Sequence, residues 1–317
     1  MLSQMSEPEV TVAFLDVGQG DSHVITLPDL SSAIVVDCFR DSVTVDYLEK
    51  NGIKRLSYVF LTHTDSDHIG GAVVLLKNFL ENLGQVDGIG YNHDTPRVVK
   101  GKRRIILQGL LDLARRHDLE VCSPRSGQSW TFQGVVVDVL HPDDLDAKEA
   151  ELHCDTNNAS IMLRITFAGQ RILLAADVEG QGWQWVTERD TDIKANIFKF
   201  PHHGAWYDAR GQQPSLDEVL QRVSPSLVVI SVGTHNPHNH PHPNTLELLH
   251  SYPQLRFVCT EATSKCHSSL KVARNKEACP CAGTVEVVIG SGRIEVIPDH
   301  ASHSEVIKHF DTPQCKG

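Results

Sequence analysis

Apolar and polar positions along the chain alternate as short strand-like runs, broken by glycine turns and by a few helical stretches. Apolar runs at residues 10–16, 22–27 and 33–37 follow one another closely, and Gly18 and Gly20 separate the first two. Residues 43–51 have helical periodicity, with Gly52 placed to stop it. A strand at 56–62 delivers directly into His63-Thr64-Asp65-Ser66-Asp67-His68, after which Gly70-Gly71 opens a helix reaching residue 80. Residues 105–117 repeat the helical pattern, and 135–140 read as a strand.

The second half has the same rhythm. Residues 160–167 and 171–176 predict a hairpin turning at Gly169-Gln170, its second strand ending at Asp177. A strand at 195–200 ends at Pro201-His202-His203-Gly204, and one at 227–232 ends before the histidine-rich segment 235–243. Helices are predicted at 216–223 and 245–251, and further strands at 256–260, 284–289 and 293–297. No low-complexity linker divides the chain. The expected organisation is a main body over residues 1–260 and a cysteine-bearing extension, 261–317, packed on the same domain.

Polar residues collect where strands stop: Asp16, the segment His63 to His68, Asp177, and His202-His203. Strand ends that share an edge are where α/β sheets assemble a site. His63, Asp65, Asp67 and His68 place four ligand-type side chains within six residues. Imidazoles and carboxylates so crowded call for a cation between them, and mixed His and carboxylate donors suit Zn²⁺, Mn²⁺ or Fe²⁺. A polar turn with helix-capping aspartates is the plainer reading of the hexapeptide alone. Asp177 and the His202-His203 pair, at other strand ends, weigh against it.

The segment Leu61-Thr-His-Thr-Asp-Ser-Asp-His-Ile-Gly-Gly71 resembles the signature of the metallo-β-lactamase superfamily. Having Asp65 in place of the usual second histidine, it is similar to the hydrolase domain of ComEC-type DNA-uptake proteins. Further blocks match that group in the same order: 14–21, 157–160, 199–204, 230–233 and 240–243. The transmembrane channel of that group has no counterpart, so a stand-alone relative is expected. The resemblance implies a four-layer αββα sandwich with one or two divalent metals, Zn or Mn, at the sheet edge. It implies His63, Asp65, Asp67 and His68 as ligands, Asp177 as the bridging carboxylate, and His202 or His203 as the last ligand. The usual third histidine of one metal site has no match, and Asp155, Asn157 and Asn158 lie near its place. Catalytic roles would fall to Asp67, Asp177 and His240, with His240 touching a substrate phosphate or leaving group, and Asp21 is a candidate for orienting a ligand or water.

Charge and cysteine content refine the picture. Basic residues number 29 against 40 acidic ones, a net charge of −11, so the whole surface is not a nucleic-acid glove. Yet Lys100, Lys102, Arg103 and Arg104 lead a basic strip from Arg97 to Arg116, able to follow a phosphate backbone or to be a solvated helix face. The chain lacks the long apolar run of a membrane span and the pattern of a signal peptide, so a cytoplasmic protein is expected. Of 8 cysteines, five crowd the tail; Cys266, Cys279, Cys281 and Cys315 are candidate ligands of a structural zinc, with free thiols or a disulfide as the alternatives. The expected function is metal-dependent hydrolysis of phosphodiesters, foremost DNA. Hydrolysis of a small ester (a phosphocholine ester or lactone) and a metal-stabilised regulatory module without turnover stand as alternatives.

Overall fold

Strands buried on both faces read as nearly continuous apolar runs, and this chain folds around such strands. The structure, a computed structural model, describes residues 8–92, 101–271 and 278–316. The first half runs β1 (Val10–Phe14), β2 (Ser22–Thr26), β3 (Ser32–Cys38), α1 (Asp41–Lys50), β4 (Arg55–Leu61), α2 (Ser66–Ile69), α3 (Ala72–Asn78), β5 (Gln85–Val86), β6 (Gly88–Tyr91), α4 (Lys102–Arg116), β7 (Glu120–Cys122), β8 (Ser129–Phe132), β9 (Val135–His141) and α5 (Asp144–His153). The second adds β10 (Met162–Phe167), β11 (Gln170–Leu174), α6 (Gly180–Glu188), β12 (Ile197–Lys199), α7 (Leu216–Val223), β13 (Leu227–Ile230), α8 (Pro243–His250), β14 (Arg256–Cys259), β15 (Val285–Gly290), β16 (Arg293–Ile297) and α9 (His300–Ile307).

Two sheets result. The first has the order β16-β15-β1-β2-β3-β4-β6-β7, with β5 also pairing β4; the second runs β14-β13-β12-β11-β10-β9-β8. Side chains alternate across each strand. In β3, Ile34 and Val36 join Phe14, Phe60, Val137, Leu163, Leu174 and Val229 in a core between the sheets. Ala33 and Val35 face outward instead, under Leu48 of α1, Leu75 and Leu76 of α3 and Leu110 of α4. Trp183 of α6, Val219 and Leu220 of α7 and Leu249 of α8 cover the second sheet in the same way. The architecture is the four-layer αββα sandwich.

Strand direction then sets where loops meet. β3 and β4 are parallel, as are β11, β12, β13 and β14, so their C-terminal ends lie along common edges. Beyond residue 260, β15 pairs with β1, Val10 opposite Ile289, while Lys316 bridges Phe257 of β14. The extension therefore runs from one sheet to the other.

The periodicity missed β5 to β8, α5, α6 and α9. The four strands are short, and Gly84, Gly88 and Gly90 interrupt the segment of β5 and β6. Helix α6 carries Gly180 and Gly182, poor helix formers. Its N-terminus is capped from afar: Asn158 Oδ1 accepts the N–H groups of Glu179 and Gly182 at 3.1 and 2.8 Å. A cap supplied from another segment leaves no local pattern to read.

Candidate metal centre

Each strand that reaches the shared edge delivers one or two polar side chains. β3 carries Asp37 one residue before its end, β4 leads to His63 and the turn into α2, β11 to Asp177, and β12 to His202 and His203. Asp37, Ala176 (just before Asp177), His202 and His203 all adopt left-handed backbone, with φ of 59°, 48°, 48° and 53°. For residues other than glycine this costs of order 1–3 kcal/mol each, and such strain concentrates at functional sites. Here it turns the chain sharply enough for the side chains to face one another.

They converge on Asp177. Its carboxylate lies 3.2 Å from His68 Nε2, 3.8 Å from His63 Nε2 and 3.8 Å from His203 Nε2. Asp67 is 3.6 Å from His203 Nε2. One ligand atom each from Asp67, His68, Asp177 and His203 falls within 4.8 Å of all the others. The far side of each ring is anchored. His68 Nδ1 meets Asp37 Oδ2 at 2.8 Å, His203 Nδ1 meets the Ser231 carbonyl at 3.0 Å, and His63 Nδ1 meets Thr62 Oγ1 at 3.2 Å. Metal-ligating histidines are held this way, the outer nitrogen fixing the ring so that the inner one is presented.

The inner atoms His63 Nε2, His68 Nε2, His203 Nε2 and Asp177 Oδ1 are all buried and none makes a well-formed hydrogen bond; only His68 and Asp177, 3.2 Å apart, face one another closely. Each such orphan costs roughly 1–3 kcal/mol. A cation among them removes the penalty, so the residues present fit a divalent metal.

Electrostatics point the same way. Burial disfavours the charge on Asp177, yet His68 and His203 outweigh it and hold the carboxyl well below its usual range. Burial likewise opposes the charge on His68, but Asp177 and Asp37 push it well above the ordinary imidazole value. His63, buried beside His68, is pushed down. Beneath the centre, the fully buried Lys199 places Nζ 2.7 Å from Asp21 Oδ2, and Asp21 Oδ1 is 3.6 Å from His203 Nδ1.

Three expected ligands lie outside the quartet: His63, which still faces Asp177 at 3.8 Å, and Asp65 and His202, which have other partners. Asp65 Oδ1 accepts hydrogen bonds from Arg103 and, at 3.1 Å, from Thr156. His202 gives Nδ1 to Glu179 at 2.7 Å, and its Nε2 is 3.7 Å from Asp177. His203 is buried in the centre while His202 lines the cleft above it, so the two neighbours divide as adjacent side chains must. The cleft, about 380 Å³, is bordered also by Gln19, Phe39, Asn157 and His240. Burial and the charges of His202 and His203 push His240 down to about 3, so this ring is neutral near pH 7.

Arg103, a candidate for contact with a phosphate backbone, pairs with Asp65 because α4 starts beside the 65–68 turn. Lys102 and Arg104 are exposed on the same helix; Lys100 lies outside the described residues. In the tail the expected set is Cys266, Cys279, Cys281 and Cys315, of which the structure gathers two. Cys281 and Cys315 come together with His303, while Cys279 is part-exposed, its backbone N–H held by Thr234. Sequence reasoning missed His303, Asp37 and Lys199. Asp37 at least ended a predicted strand, the signal that singled out Asp177.

Histidines and carboxylates meeting at one edge of an αββα sandwich define a class of two-sheet proteins with a His/Asp centre. Residues 15–217, more than half of the chain, match the metallo-beta-lactamase superfamily, and the chain belongs to it. Proteins of this fold are generally metal-dependent hydrolases. The chain is 28% identical over 275 residues to ComE operon protein 3 of Bacillus subtilis, covering 79% of this chain and 32% of that protein. It is 25% identical over 262 residues to Recombination protein 2 of Haemophilus influenzae, covering 80% and 28%. It thus spans about a third of the length of these curated relatives. Among solved structures it is similar to the metallo-beta-lactamase fold protein YhfI from Bacillus subtilis, with a TM-score of 0.45 and 11% identity, covering 77% of this chain and 93% of that one. Among the described residues no helix is long and apolar enough to cross a membrane.

Proposed function

We propose that the chain is a metal-dependent phosphodiesterase that cleaves DNA. The observation that carries this reading is the set of buried donor atoms on His63, His68, His203 and Asp177 that make no well-formed hydrogen bond, beside an open cleft that Asp177 and His203 line. Asp67, His68, Asp177 and His203 would hold one divalent cation, zinc or manganese. His63 and Asp177 would hold a second one more weakly, because Asp65 is engaged by Arg103 and Thr156. A cation there supplies an acidified water, with a pKa near about 7, and offsets charge growing on phosphoryl oxygens.

The chain's own residues complete the chemistry. Asp67 and Asp177, both held ionised, would accept hydrogen bonds from the attacking water. Gly233 N–H donates to Gln19 Oε1, which turns the Gln19 amide group toward His240 Nδ1 at 3.5 Å. The proton of neutral His240 is then left on Nε2, where it can be donated as a hydrogen bond to the leaving oxygen. Asn236 braces that loop, accepting from His240 N–H at 2.7 Å and donating to the His240 carbonyl at 3.0 Å. A DNA substrate is supported by the exposed Lys102 and Arg104 on α4, the helix that packs beside the metal-ligand turn. The names of the relatives, a ComE operon protein and a recombination protein, support it as well.

The test is cleavage of single- and double-stranded DNA by the purified chain with Zn²⁺, Mn²⁺ or Mg²⁺, beside an Asp177→Asn variant. Cleavage that vanishes in the variant while its circular dichroism is unchanged supports the reading. DNA left intact with every metal, while a phosphocholine ester or a lactone is hydrolysed, would replace it with small-ester hydrolysis.

A further inference from the structure

Cys281, His303 and Cys315 are all buried, and each offers one ligand atom within 4.8 Å of the other two. They come from three places: the approach to β15, helix α9 and the C-terminal segment. Cys281 Sγ is 3.3 Å from His303 Nε2 and 3.6 Å from Cys315 Sγ. A tetrahedral zinc with sulfur at about 2.3 Å and nitrogen at about 2.0–2.1 Å sets its ligands about 3.8 Å apart for two sulfurs and about 3.6 Å for sulfur and nitrogen. The observed edges fall within about 0.3 Å of that geometry. The Cys259 N–H donates to Cys315 Sγ at 3.2 Å, as backbone donors do around metal thiolates. The thiols of Cys259 and Cys266 are buried alongside, in the same cluster.

We infer that Cys281, His303 and Cys315 hold a structural Zn²⁺, separate from the catalytic centre, with a fourth donor from the flanking thiols of Cys259 and Cys266. The reason for such a site lies in the topology. Cys281 lies 22 residues from His303 and 34 from Cys315, so one ion would tie three stretches of a tail that reaches both sheets. Beyond Val285 the tail has few buried apolar side chains outside β15, and α9 buries His303 rather than an apolar residue. A metal cross-link replaces the core that this segment lacks. The leading candidates in the sequence were four cysteines; His303 enters through the fold, 22 residues beyond Cys281.

The full chain loaded with zinc tests this by X-ray absorption. The catalytic quartet contains no sulfur and Cys38, Cys122 and Cys154 are scattered, so a Zn–S shell at about 2.3 Å with two or more sulfurs reports on the tail. Substitution of Co²⁺ for zinc should add a sulfur-to-cobalt charge-transfer band, and both measurements need no variant. Cys315→Ser should then lower zinc content by about one equivalent, while Asp177→Asn keeps the Zn–S shell. Scattering from nitrogen and oxygen alone would overturn the assignment, as would a Cys281–Cys315 disulfide in the non-reduced peptide map.

Discussion

Asp37 Oδ2 lies 2.8 Å from His68 Nδ1, and this contact decides which nitrogen of His68 faces Asp177. Asp37 is itself fixed, accepting the Thr62 N–H and hydroxyl at 2.8 and 2.7 Å. One carboxylate therefore orients both a ligand and the strand end that carries His63. Asp37→Asn keeps the size but removes the charge. Partners of this kind contribute roughly 10–100-fold to metal affinity. The variant should bind metal at the catalytic centre that much more weakly in a competition titration, with its circular dichroism unchanged. Undiminished affinity would mean that Asp37 serves only the backbone of β4.

The Lys199–Asp21 pair makes a prediction about stability. Both side chains are within 1% of complete burial, and the pair sits next to His203. Removing one partner leaves a buried charge uncompensated, at a cost of about 3–5 kcal/mol, whereas replacing both with apolar groups is often close to neutral. Lys199→Met should lower the denaturation midpoint sharply, and Lys199→Met with Asp21→Leu should recover most of the loss. Equal losses in the single and double variants would show that the pair contributes packing rather than charge balance.

Much of this was legible in the sequence. Strand runs ending in Asp or His marked the shared edge, and the hexapeptide from His63 to His68 marked its centre. Asp37 and Lys199 were hidden because each sits in or beside an apolar strand, and their meaning depends on partners 31 and 178 residues away. The pairing of Arg103 with Asp65 was hidden for the same reason. A basic helix face shows its charge in sequence but not which carboxylate the fold sets beside it.

Gly20 permits a close approach that no larger residue allows. A Cβ there would lie 2.5 Å from the Asp67 carbonyl oxygen and 2.4 Å from the Phe39 ring. The same loop holds the ligand turn through the Asp21 N–H, which donates to that carbonyl at 3.0 Å. Gly20→Ala should therefore push the 65–68 turn away from Asp177. Overpacking of this sort costs about 1–3 kcal/mol. The expected outcome is a lower melting temperature together with weaker metal binding, and the coupling of the two is the point. Reduced stability with unaltered metal affinity would place the strain in Phe39 instead.

The last prediction separates the basic strip from the metal centre. Each phosphate contact to duplex DNA releases counterions, so log affinity falls with log salt at a slope of about −0.9 per contact. Lys102 and Arg104 are exposed and free to make such contacts, whereas Arg103 is already paired with Asp65. Lys102→Ala with Arg104→Ala should flatten the slope by about 2 units and weaken DNA binding, while hydrolysis of a small chromogenic phosphodiester stays near its original rate. Arg103→Ala should behave differently. Releasing Asp65 frees a carboxylate beside His63, so the second cation should bind more tightly, measured as metal stoichiometry at fixed free Mn²⁺. If the double variant leaves the slope untouched, α4 is a solvated face and DNA must be held elsewhere. If Arg103→Ala leaves the stoichiometry at its original value, the Asp65 pairing does not govern the second site, and the missing third histidine alone accounts for its weakness.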